Sequence, residues 1–105
     1  MQNFQLVASC PEVIAAVVSD AQGALLQSAG EIDAESIGAV ISYSAGALSN
    51  AGVELGLGDL SRIVVSGPTK ACVITLRRQE VLGVYIDASR PIAAFEKKMD
   101  DLLQR

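Results

Sequence analysis

Residues 33–58 read DAESIGAVISYSAGALSNAGVELGLG, and the fold is decided there. Asp33 is a good N-cap, and Glu35 suits the positive end of a helix dipole. No proline follows until well past Leu55, and Gly56 and Gly58 supply a C-terminal stop. The stretch therefore predicts one long helix from Ala34 to about Leu55. At about 100° per residue, Ile37, Ile41, Leu48 and Leu55 form a narrow apolar stripe. Beside it lies a stripe made wholly of small residues: Gly38, Ser42, Ala45, Ser49 and Gly52. Tyr43, Ala47, Asn50 and Glu54 fall on the far side. An interior glycine costs about 1 kcal/mol relative to alanine, and this helix carries glycines at 38, 46 and 52. A loss of that size points to close backbone approach by another element. Either the chain's own sheet or a helix of a second chain fits.

Upstream, the β-branched run Val13–Val18 ends at Asp20-Ala21-Gln22-Gly23, and Ala24-Leu25-Leu26 follows at once. Asp opens such a turn and Gly closes it, which predicts a hairpin. Asn3–Ser9 reads as a short helix stopped by Pro11. Downstream, residues 61–66 and 71–76 alternate with period 2 around the turn Gly67-Pro68-Thr69-Lys70. Residues 81–86 make the last strand, and short connections make these three antiparallel neighbours. Tyr85 is expected beneath a helix, and Cys72 as a small core residue. A final helix runs from about Pro91 to Leu103, with Ile92, Phe95, Met99, Leu102 and Leu103 on its apolar face. The expected class is α+β: a five-stranded antiparallel sheet flanked by helices, in the order (α)-β-β-α-β-β-β-α. The 105 residues form a single domain.

Composition excludes several functions. Apolar residues are 50% of the chain, which is incompatible with disorder. A net charge of −4 and 4% aromatics argue against nucleic acid as a partner. Histidine is absent, which removes the commonest general base and metal ligand. Cys10 and Cys72 have neither a base to activate them nor metal-ligand spacing. Gly56-Leu57-Gly58-Asp59 follows a helix and lacks the lysine of a phosphate-binding loop. No catalytic residue, cofactor or metal site is expected. No apolar run approaches membrane-spanning length, so no membrane partner is expected and the expected location is cytoplasmic. Charge is uneven: residues 1–61 carry seven acids and no Lys or Arg, and residues 62–105 carry eight bases and five acids, giving −7 and +3. That pattern fits either a solvated mixed surface or an acidic and a basic face that steer a partner.

The order of elements resembles the roadblock/dynein-light-chain family, related to profilin-like folds. The resemblance is carried by PEVIAAVVSDAQG at 11–23, the small-residue helix, and VELGLGDLSRIVV at 53–65, and spans residues 4–103. It implies a homodimer or heterodimer, the homodimer being the expectation here, with a continuous ten-stranded sheet, burying about 1,200–2,000 Å² or more. Arg62, Val64 and Ser66 would then lie at the strand junction, with Gly38, Ser42, Ala45, Ser49 and Gly52 near the paired helices. It further implies a scaffold or regulator of a small Ras-like GTPase or signalling complex. The Ala/Gly-rich composition suits a bacterial or archaeal member, and Tyr43, on the far side of the helix in a chain with 4% aromatics, is the expected partner contact. The alternatives are an adaptor subunit of a motility, motor or sensory complex without nucleotide dependence, and a profilin-like small-ligand module.

Overall fold

Apolar β-branched runs punctuated by Asp, Gly and Pro build an antiparallel sheet, and the computed structural model describes all residues 1–105. In chain order the elements are α1 (Phe4–Ala8), β1 (Val13–Asp20), β2 (Leu25–Ala29), α2 (Ala34–Glu54), β3 (Arg62–Ser66), β4 (Lys70–Arg77), β5 (Glu80–Asp87) and α3 (Ile92–Leu103). The sheet order is β2-β1-β5-β4-β3, antiparallel throughout. The β1–β2 turn forms as its residues dictate: the Gln22 and Ala24 N–H groups both donate to Asp20 Oδ1 at 2.9 Å, and Gly23 takes φ +91°.

Helices cover both faces unequally. On one face α1 and α3 close the main core, where Phe4 and Val7 meet Phe95, Met99 and Leu103 over Val18, Val73, Leu82, Val84 and Ile86. On the other face α2 lies alone, over a smaller cluster of Ile41, Ala45, Ile74 and Val81. The Asp33 carboxylate accepts from the Ser36 N–H at the helix start. At its end the Leu57 N–H donates to the Gly52 carbonyl and the Gly56 N–H to the Val53 carbonyl, with Gly56 at φ +78°. That is a Schellman stop, which glycine adopts without steric cost.

The helix crosses the sheet obliquely. Gly38 sits over Val17 and Ser19 of β1, Ile41 over Gly83 of β5, and Gly52 against Leu60, just before β3. One corner of this face stays open, and Tyr85 and Cys72 lie there, half-buried, rather than beneath a helix or in the core. Burial still pushes the Cys72 thiol up to about 11, against a smaller opposing hydrogen bond from Tyr85.

Candidate functional site

The side chains gather in no metal-ligating group, and the surface features that stand out are an open strand edge and a bare helix face. β3 has β4 on one side and nothing on the other. The Leu76 N–H donates to the Ser61 carbonyl at 3.0 Å, and the Gly67 N–H donates to the Lys70 carbonyl at 2.8 Å. The register between these bonds is unbroken. Antiparallel alternation therefore turns the peptide groups of Ile63 and Val65 toward β4 and those of Arg62, Val64 and Ser66 outward. These three residues present an N–H and C=O row along the open edge. The edge is also apolar, with Val64 and Val65 exposed and no charge or proline between Arg62 and Pro68. The opposite edge differs, because the β1–β2 register shifts at a bulge between Val18 and Ser19. A flat apolar edge is the kind that pairs with another strand.

Arg62 is anchored within the chain. Its Nε donates to Thr75 Oγ1 at 3.0 Å, Nη1 to Glu96 Oε1 at 2.9 Å, and Nη2 to Asp100 Oδ1. Burial alone would lower the guanidinium pKa, and the bonds to Asp100 and Glu96 raise it instead. The side chain thus ties β3 to α3 while its peptide group stays free.

The small-residue stripe of α2 meets the chain's own sheet, one of the two partners its residues leave open. A Cβ on Gly38 would touch Val17 and Ser19 at 3.4 Å, and one on Gly52 would lie 2.7 Å from Leu60 Cγ. Ser19, fully buried, places its Oγ 3.1 Å from the Gly38 carbonyl and 2.7 Å from Ser42 Oγ, which donates to the Asp20 carbonyl. Ala45 is buried between Ile74 and Val81, and Ser49 is half-buried beside Leu76 and Val81. Gly38, Ala45 and Gly52 are thus buried within the chain, while Ser42 and Ser49 stay half-buried at the flank of the helix. Leu48 and Leu55, which the apolar stripe marked for burial, are exposed instead. Tyr43 is 81% exposed at the centre of a free face that includes Val40, Ala47, Asn50 and Glu54.

No helix is long and apolar enough to cross a membrane. A comparison with curated proteins finds no match. Among solved structures, the chain resembles a Roadblock/LC7 domain from Streptomyces avermitilis, at 21% identity and TM-score 0.82, covering 95% of this chain and 87% of that one. It is also similar to MglB from Myxococcus xanthus, at 17% identity and TM-score 0.84, with 92% and 82% covered. A third likeness is to the gliding protein MglB from Thermus thermophilus, at 12% identity and TM-score 0.82, with 96% and 80% covered. Identities this low speak for the fold. The family model of the Roadblock/LC7 domain matches residues 2–85, and the chain belongs to that family.

Proposed function

We propose that the protein is a homodimeric, non-catalytic platform that binds a small Ras-like GTPase or a signalling complex. The open β3 edge carries this reading. Antiparallel pairing about Val64 sets Arg62 opposite Ser66 of the second copy, satisfies the outward peptide groups of both strands, and removes an exposed edge. Both α2 helices then share one face of a ten-stranded sheet, and their bare sides, each with Tyr43 between acidic helix ends, form the partner surface. A sequence without histidine favours binding over acid–base catalysis. The kinship with MglB, a gliding protein, is the ground for looking in motility and signalling systems.

The test is to add a Ras-like GTPase encoded nearby, loaded with GDP or a GTP analogue, and to measure complex formation and phosphate release. Nucleotide-dependent binding that Tyr43→Ala weakens at least tenfold supports the reading. Binding indifferent to nucleotide favours the adaptor alternative, and no binding to any such GTPase overturns the GTPase reading.

A further inference from the structure

On the flank of α2 opposite Leu48 and Leu55, a groove runs between the helix and the β4–β5 turn. It holds about 200 Å³ there and continues past Ala21 and Gln79 into a second hollow of about 440 Å³ beside the β1–β2 turn. No residue of β3 lines either part, so the groove is separate from the open strand edge. We infer that it binds an extended acidic peptide segment of a partner, with Arg77 and Arg78 taking its carboxylates and Gly46 letting its backbone lie against the helix. The inference goes beyond the GTPase reading and needs neither that partner nor the dimer.

Four residues of this groove depart from what folding alone favours. Gly46 weakens the interior of α2. Unlike Gly38 and Gly52, it has no neighbour within the chain that needs the room, since a Cβ there meets nothing within 4 Å. Gln79 sits at φ +64° in the two-residue turn between Arg77 and its cross-strand partner Glu80, a conformation that glycine or asparagine adopts more easily. Arg77 and Arg78 are exposed side by side without an acid. The ion pairs within the chain use Arg62, Lys98 and the terminal amine instead.

The charges select the occupant. The groove's own acids are engaged: Asp20 Oδ1 accepts the Gln22 and Ala24 N–H groups, and Glu80 Oε1 lies 3.6 Å from the Met1 amine. Residues 1–61, which include α2, hold no Lys or Arg, so Arg77 and Arg78 are the cations beside this flank of the helix. Guanidinium groups bind carboxylates through charge-assisted, two-pronged hydrogen bonds. The Gln79 amide, both donor and acceptor, matches a peptide group. The largely polar lining suits a solvated extended segment better than an apolar ligand or the apolar face of a helix.

The experiment selects binders to the immobilised full chain from a phage-displayed library of random peptides. The selected sequences are enriched in Asp and Glu, and the tightest of them, synthesised with a fluorescein label, is titrated by polarisation against variants. The double variant Arg77→Gln and Arg78→Gln binds it at least tenfold more weakly, and so does Gly46→Leu. Lys97→Gln, which removes an exposed cation on α3, changes the affinity less than threefold and so separates a built site from general charge attraction. All the substituted positions are exposed, and circular dichroism checks each fold. Gly46→Leu raises Tm while it weakens binding, a combination that a folding defect does not produce. Selection without enrichment in acids overturns the inference, as does a selected acidic peptide that binds the double arginine variant or Gly46→Leu as tightly as wild type.

Discussion

The three glycines of α2 share one helix and differ only in what surrounds them, so alanine at each position tests the packing directly. A Cβ on Gly46 meets nothing within 4 Å. Gly46→Ala therefore keeps the full helical gain of about 0.8–1.0 kcal/mol, or roughly 4–8 °C in Tm for a domain near this size. The same gain applies at Gly52, but there the new methyl lies 2.7 and 2.8 Å from Leu60 Cγ and Cδ2. Overpacking costs about 1–3 kcal/mol, so Gly52→Ala is neutral or loses up to about 2 kcal/mol. Gly38→Ala falls between, because its 3.4 Å contacts with Val17 and Ser19 are close to ordinary. Thermal unfolding by circular dichroism at one fixed protein concentration reads all three, since a dimer's Tm varies with concentration. Gly52→Ala stabilising as much as Gly46→Ala would refute the seating of α2 on the segment before β3. A Gly38→Ala variant of unchanged Tm but halved mass would return the small-residue stripe to the dimer interface.

Three further outcomes follow from the side-chain contacts. Arg62→Met frees α3 from β3 and lowers stability by about 1 kcal/mol, the modest figure expected of a part-exposed network; urea unfolding in low and high salt shows the difference shrinking as salt screens it. Glu12 is held below the usual carboxylate range by its own backbone N–H and then by Lys98 Nζ, 3.1 and 3.2 Å from its two oxygens. A depressed folded pKa stabilises above the unfolded value of about 4.3 and is lost as pH falls through the folded one, so Glu12→Gln lowers stability at neutral pH, the loss vanishes below the folded pKa, and the acid limb of the stability–pH curve flattens. Cys72, pushed up to about 11 by burial, reacts with a maleimide far more slowly than free cysteine at pH 7.5, and its rate still climbs above pH 9; a free-cysteine rate at neutral pH contradicts that environment.

Most of the fold is legible in the sequence because its signals are local. Asp20 and Gly23 mark the hairpin, Asp33 and Gly56 bound α2, and alternation marks the three later strands. The pairing of β1 with β5 is not legible, since nothing local records which distant strands meet. The face of α2 is misread for a physical reason. A helix lying close on a sheet buries small residues, while the larger Leu48 and Leu55 stay exposed on its flank, so apolarity alone aims the helix some tens of degrees away. Gly83 beneath Ile41 is the complementary signal: a glycine inside a strand marks a close approach from above. Of the interaction surface, Arg62, Val64 and Ser66 are singled out by the family resemblance alone, and that their peptide groups turn outward follows only from the pairing of β3 with β4. Tyr85 and Cys72 escape the expected cover because one helix spans only part of its face of the sheet.

The central claim is that two copies pair through the open edge of β3. Solution mass by light scattering, across a dilution series of the wild type and Val64→Pro, tests it most directly. The N–H that proline removes points away from β4, so the β3–β4 ladder survives. The account predicts a wild-type mass near twice 10.9 kDa and a folded, monomeric Val64→Pro. A wild type that is monomeric at every concentration, or a Val64→Pro dimer as tight as wild type, contradicts it.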